Sequence, residues 1–299
     1  MESSALVRSA GSRSAVGEVL LAPSAGSDAE GRTVSLPVGT RIGIEVDPTR
    51  WCLGHRATDG TTIRCPDDAV VVRGRQCARC EADDPWRWMH IVHRSQFPPA
   101  GALRDHIMRP HWLYVATFAE GVSKVGTAVD ERKQSRLDEQ GPMLAHWIAL
   151  APDGIHVREW EDLVSRTTSL GQVVTPAAKV AGLAAPVDLA AVERQHQRAL
   201  TEAGEALGGV ADVTVLAEPW PNPRDPASLP ELVLRPYPGS LGSGRHGFTV
   251  HQCWGPVALV TLEGDQESTW AVDLTAMVGH RVRCVHAQTP VPQIQDGLF

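Results

Sequence analysis

The stretch HWLYVATFAEGVSKVGTA, residues 111–128, decides the fold of the central part of this chain. Two apolar segments flank the turn-forming letters AEG, a pattern typical of a β-hairpin. The hairpin carries Tyr114, one of two tyrosines in the chain, and Lys124, one of three lysines. Alternate side chains of paired strands share one face of a sheet, so we expect Tyr114 and Lys124 to meet above the same surface.

Helices and strands alternate after the hairpin. The letters DERKQSRLDEQG predict a short helix with Asp130 at its N-cap and Gly141 just past its end. AHWIALA predicts a strand, and REWEDLVSRTTSLG predicts a second helix, which carries Glu161. A longer helix opens near Asp188 and stops at a Gly-Gly pair. We therefore predict one α/β domain over residues 111–209.

The regions on either side of this domain predict β structure. Val- and Ile-rich segments there are short and separated by Gly and Pro. Residues 1–14 predict a flexible tail, and residues 15–110 a β region with a cysteine zinc site. Residues 210–299 predict a small β unit after a Pro-rich linker. The segments TVSLPVGTRI and AVDLTAMVGHRV resemble each other, and a duplication would pack the two β regions together. The fold class is α+β.

Composition limits the classes of function. The chain has 299 residues, 42% hydrophobic and 21% charged, which is typical of a globular protein. A net charge of −7 disfavours a protein that coats duplex DNA through counterion release, but it is compatible with a focused basic site. No apolar run is long enough for a membrane helix, and the N-terminus lacks the apolar core of a signal peptide. We expect no membrane partner and a cytoplasmic location.

Four of the six cysteines lie close together in the sequence, at Cys52, Cys65, Cys77 and Cys80. The last two form CARC, a C-x-x-C knuckle that lets both thiolates reach one ion from a tight turn. Without an export signal these thiols stay reduced, which favours metal binding over a disulfide. We predict a structural Zn²⁺ site.

Other interpretations of the cysteine segment remain open. His55 lies at the matching position after Cys52 and can replace one cysteine as a ligand. His90 and His93 are further candidate ligands. A redox-active C-x-x-C pair is the alternative to zinc, although such pairs usually open a helix in a βαβ unit.

The central stretch resembles the GIY-YIG nuclease superfamily, in the branch that carries K-[IV]-G in place of Y-I-G. WLY (112–114) stands where GIY would, and KVG (124–126) stands where YIG would. A closer resemblance is to a bacterial family, the domain of unknown function 2797, through the motifs PHWLYVA, SKVGTA and RLDEQG. This resemblance covers roughly residues 34–205 and implies a GIY-YIG-like central domain.

The resemblance to the GIY-YIG superfamily implies phosphodiester cleavage with one Mg²⁺ or Mn²⁺ ion. In that family pattern Glu161 holds the metal, Tyr114 acts at the attacking water and Arg136 binds the phosphate. Such a reaction needs a base, positive charge on the phosphate and a Lewis acid. Lys124 replaces the second tyrosine and can hold a phosphate or lower the pKa of an adjacent tyrosine.

The assignment leaves alternatives open for the phosphate-binding arginine, for the metal-binding glutamate and for the function. Arg132 competes with Arg136, and Glu159 competes with Glu161. The first functional hypothesis is a metal-dependent phosphodiesterase or endonuclease on nucleic acid. The alternatives are a non-catalytic, zinc-containing module that binds nucleic acid or protein, and an enzyme on a small nucleotide-like substrate. No phosphate-binding glycine loop supports the last one, because GSLGSG (239–244) lacks the G-K-[ST] ending.

Overall fold

The computed structural model describes residues 4–12, 17–21, 32–95, 98–211, 213–229 and 233–292 of a mixed α+β chain. Its strands are β1 (Ala5–Ser12), β2 (Gly17–Leu21), β3 (Arg32–Leu36), β4 (Arg41–Arg50), β5 (His55–Arg56), β6 (Thr62–Ile63), β7 (His111–Thr117), β8 (Ser123–Val129), β9 (Leu144–Ala151), β10 (Glu218–Pro219), β11 (Val233–Pro236), β12 (Gly244–Trp254), β13 (Val257–Leu262), β14 (Asp265–Asp273) and β15 (His280–Cys284). Its α-helices are α1 (Ala78–Ala82), α2 (Gly101–Ile107), α3 (Lys133–Gln140), α4 (Gly154–Thr167), α5 (Pro176–Leu183) and α6 (Leu189–Leu207).

The two terminal β regions form one curled sheet. Within the described residues its strand order is β11-β14-β13-β12-β4-β15-β1-β2-β3. Strand β4 pairs with both β12 and β15, and β1 pairs with β15, so N-terminal and C-terminal strands alternate in the middle of the sheet. Strand β1 lies in the segment expected to be a flexible tail. That expectation is wrong for Ala5–Ser12, because Val7 packs into the core of the sheet.

The central domain is built on a second sheet, of order β10-β9-β7-β8. The predicted hairpin is confirmed, and its register pairs Tyr114 with Gly126. Helices α4 and α6 cover one face of this sheet over an apolar core. Tyr114 and Trp147 point to the other face, where Leu137 of α3 and Trp220 cover them. The strand predicted after α3 and the two helices predicted after it are also present.

The start of α3 differs from the prediction. Asp130 begins a short 3-10 turn, and its carboxylate accepts a hydrogen bond of 2.6 Å from the indole N–H of Trp112 instead of capping the helix. Helix α3 itself begins at Lys133. Its end is as predicted, because Gly141 takes the left-handed conformation that stops a helix.

The end of α3 touches the large sheet at two glycines. Gly141 has φ +66° and faces Gly255, φ +56°, in the turn between β12 and β13. A Cβ atom on Gly141 would lie 2.5 Å from the backbone nitrogen of Gly255. Only glycine permits both the backbone conformation and this close approach. The contact fixes Gln140, the last residue of α3, beside the sheet junction.

The Pro-rich segment, predicted as a linker, packs between the two sheets. Trp220 and Arg224 within it are buried. The Arg224 guanidinium donates hydrogen bonds to the carbonyl oxygens of Cys253 and Asp138 and to the Ser12 hydroxyl, over 2.7–2.9 Å. One buried side chain thus joins β1, α3 and β12.

Candidate metal centre and basic cavity

The four clustered cysteines converge in space. The sulfur atoms of Cys52, Cys65, Cys77 and Cys80 all lie within 4.8 Å of one another, a group that can hold one metal ion. Cys52 follows β4, Cys65 follows the small β5–β6 hairpin, and the C-x-x-C pair opens α1. Among the described residues no other group of three or more His, Cys, Asp or Glu ligands is found.

Backbone N–H groups point at these sulfur atoms. The N–H groups of Gly54 and Cys77 donate to the Cys52 sulfur over 3.4 and 3.2 Å. A backbone hydrogen bond from Cys80 lowers the pKa of the Cys77 thiol to about 7, whereas burial raises the pKa of Cys52. Such N–H donors stabilise the thiolate form, which is the form that binds metal.

The histidine alternatives lie outside this cluster. His93 bonds the Asp162 carboxylate over 2.7 Å, and His90 accepts a hydrogen bond of 3.1 Å from Arg158. His55 is likewise absent from the group of close ligands. The structure therefore favours the all-cysteine set over any set with a histidine.

The two hairpin residues do share one face, as predicted. Tyr114 pairs with Gly126 and Ala116 pairs with Lys124, and the Lys124 nitrogen lies 5.6 Å from the centre of the Tyr114 ring. Tyr114 is fully buried among apolar side chains, and its hydroxyl has no hydrogen-bond partner among the described residues. This placement does not support the expected role of Tyr114 at an attacking water.

Lys124 lines a large cavity of 860 Å³ between the central domain, the cysteine segment and the nine-stranded sheet. Its ammonium donates to the side-chain oxygen of Gln140 over 2.9 Å. The cationic side chains of the wall are Arg56, Arg75, Lys124, Arg132, Arg136 and Lys179. They outnumber the two carboxylates of the wall, Glu18 and Glu139, so the cavity is basic within an acidic protein.

Lys179 is a site residue that the sequence analysis missed. It is 7% exposed, and its ammonium donates to the carbonyl oxygen of Gln140 over 2.7 Å. Burial, with nearby Lys124 and Arg136, lowers the pKa of Lys179 to about 7. Lysine is rare in this chain, and this rarity was the only signal in the sequence for Lys179, because the helix that carries it, α5, was not predicted.

The two candidate arginines both reach the cavity. Arg136 makes no hydrogen bond or ion pair among the described residues, whereas the exposed Arg132 pairs with Glu139 over 2.5 Å. A free guanidinium is the better phosphate ligand, which favours Arg136 over Arg132.

The two candidate glutamates differ in burial. Glu159 is exposed, whereas Glu161 is buried and pairs with Arg158 over 2.5 Å. Burial raises the pKa of Glu161, although Arg158 and Lys124 act in the opposite direction. Glu161 thus lies near Lys124, but it is not part of the cavity wall.

Glu161 does not present a free carboxylate to a catalytic divalent ion. Proteins commonly hold Mg²⁺ with one or two carboxylates together with waters and substrate phosphates, and the Glu161 carboxylate is already paired with the Arg158 guanidinium.

Comparisons of the chain with protein-family models, with curated proteins and with solved structures find no match. Among the helices of the described residues, none combines the length and apolar character needed to cross a membrane.

Proposed function

We propose that the chain is a zinc-containing module that binds a single nucleic-acid strand through its phosphates, without cleaving it. The observation that carries this proposal is the convergence of Lys124, Arg136 and Lys179 on one basic cavity. Ammonium and guanidinium groups are the side chains that bind phosphate most strongly. A cavity of 860 Å³ has the size of a site for a nucleotide or strand segment, not for a duplex.

The order of elements supports a GIY-YIG-like assignment of the central domain. A hairpin is followed by an arginine-bearing helix, a strand and a helix with a buried glutamate, in the order that the resemblance implies. In our proposal the fold is used for binding. The Tyr114 ring packs against the Lys124 side chain, and the Glu161 carboxylate orients Arg158 by pairing with its guanidinium.

We propose zinc as the ion of the four-cysteine group. Four thiolates in a tight cluster are the ligand set of structural zinc sites. A cytoplasmic, reducing location fits free thiols and stays a prediction. A metal analysis of the purified protein should find one zinc per chain, lost in Cys80→Ser.

Metal-dependent phosphodiester hydrolysis is the second candidate function. The observation that favours it is the buried Glu161 carboxylate close to Lys124, as the family pattern implies. It predicts cleavage with Mg²⁺ or Mn²⁺ that Glu161→Gln abolishes while folding is retained.

One experiment separates these candidates. End-labelled single-stranded DNA and RNA are titrated with the zinc-loaded protein in one buffer without added divalent ions and in a second buffer with Mn²⁺, and the strands are then sized. We expect binding in both buffers, intact strands, and at least a tenfold loss of affinity in Lys124→Met. The control Arg283→Met changes an exposed cation outside the cavity wall and should bind like the wild type. Cleaved strands would establish the hydrolase, and binding of mononucleotides alone would establish a small substrate.

A further inference from the structure

A second, smaller cavity lies next to the large one. Its volume is 260 Å³, and Arg132 and Arg136 line both cavities. Arg158 is the third arginine of its wall, and no carboxylate is among the described residues that line it. Arg132 and Arg158 pair with Glu139 and Glu161, which lie outside this wall, whereas Arg136 makes no ion pair among the described residues. A wall whose charged groups are all guanidinium groups suits an anion of the size of a phosphate.

Three histidines also line the small cavity: His90, His106 and His111. Burial lowers the pKa of each of them, to about 4 for His106. At neutral pH they are uncharged hydrogen-bonding groups, so the positive charge of the cavity comes from its arginines.

The hydrogen bond that His90 accepts determines which of its two ring nitrogens can donate to a ligand. Arg158 donates to its Nδ1 over 3.1 Å, so the neutral ring carries its proton on Nε2. His90 is exposed and lines the cavity, where this N–H is a donor for a phosphate oxygen. Arg158, which is itself paired with Glu161, therefore orients His90.

We propose that the small cavity is a second phosphate subsite, and that the two cavities together hold successive phosphates of one strand. Arg132 and Arg136 stand between the subsites, one helical turn apart. This inference deepens the proposed function and depends on it. It identifies the ligand as a strand with at least two adjacent phosphodiesters.

The test compares two probes with the full-length, zinc-loaded protein. One is a thymidine dinucleotide with a single phosphate, and the other is a trinucleotide with two. We expect the trinucleotide to bind at least tenfold more tightly. His90→Ala, an exposed position, and Thr127→Leu, which fills the small cavity without changing charge, should each reduce this ratio to about one. Thermal melting checks that both variants are folded.

The outcomes separate the two proposals. Equal wild-type affinity for the two probes would overturn the second subsite and leave binding in the large cavity intact. An unchanged ratio in both folded variants would overturn the assignment to the small cavity. Binding of neither probe would overturn the proposed function, and the second subsite with it.

Discussion

At the scale of single residues, the hairpin places the Tyr114 hydroxyl in the core and the Lys124 ammonium at the wall of the large cavity. Tyr114 packs edge-on against Trp147, with ring centres 5.5 Å apart, and its hydroxyl lies against Gly126. Lys124 is held at the cavity wall by Gln140. In the proposed function, Tyr114 packs beneath the site and Lys124 contacts the ligand.

Substitutions at the Tyr114–Gly126 contact test this division. A Cβ on Gly126 would lie 2.5 Å from the Tyr114 hydroxyl, so Gly126→Ala should lower the free energy of unfolding by about 1–3 kcal/mol. Tyr114→Phe removes a hydroxyl that has no hydrogen-bond partner in the described part of the chain, and it should change the free energy of unfolding by less than about 1 kcal/mol. Urea denaturation measures both. A large loss in Tyr114→Phe would show that the hydroxyl has a structural partner.

The charge of Lys179 predicts how binding depends on pH. Its pKa is lowered to about 7, so the ammonium is present below pH 7 and is lost as the pH rises. We expect oligonucleotide affinity to fall between pH 6 and pH 8. Lys179→Arg keeps its charge throughout this range and should show a weaker dependence. Equal pH profiles for the wild type and Lys179→Arg would contradict a role for this ammonium. Anisotropy titrations across the range provide the measurement.

At the scale of elements, the cysteine segment, residues 52–80, has little core apart from its four cysteines. Its apolar cluster consists of the cysteines with Val71 and Ala69. The strands β5 and β6 are only two residues long and pair with each other alone. In our proposal a bound metal supplies most of the order in this segment.

Removal of the metal should unfold this segment and leave the large sheet folded. Zinc binding contributes ~10–16 kcal/mol in small zinc domains, far more than the cluster around Val71 can supply. With a chelator we expect fast hydrogen exchange over residues 52–80 and retained protection in β12–β14. Re-addition of zinc is the control. Unchanged exchange over residues 52–80 in metal-free protein would refute a structural role.

At the scale of the whole molecule, strands from the N-terminal and C-terminal regions form one sheet. The pairing of β4 with β12 and β15 makes independent unfolding of the terminal regions costly. Arg224 connects this sheet to the central domain through hydrogen bonds to three segments. We expect one cooperative unfolding transition for these two parts.

Loss of Arg224 should weaken this connection. Arg224→Leu leaves buried carbonyl oxygens of Cys253 and Asp138 without their donors, so it should lower the free energy of unfolding by about 3 kcal/mol. The matched control is Arg283→Leu, an exposed ion pair whose loss should cost less than about 1 kcal/mol. Similar losses for the two variants in urea denaturation would contradict the role of Arg224.

The sequence predicts local features of this fold better than distant ones. The hairpin, the Gly141 stop and the four-cysteine group follow from turn chemistry and ligand spacing over short distances. The similar segments TVSLPVGTRI and AVDLTAMVGHRV indicated that the two terminal regions could pack together. They did not predict the pairing of β4 with β12, which joins residues some 200 positions apart. Lys179 was missed because α5, which brings it near Lys124 and Gln140, was not predicted.

The salt dependence of strand binding tests the central claim most directly. A protein that contacts several phosphates shows a linear fall of log affinity with log salt concentration, at about 0.7 per contact for a single strand. We predict such a slope for the zinc-loaded wild type without added divalent ions, reduced by about 0.7 in Lys124→Met and unchanged in Arg283→Met. A slope that stays the same in Lys124→Met, or no binding without added divalent ions, would contradict phosphate recognition in the basic cavity.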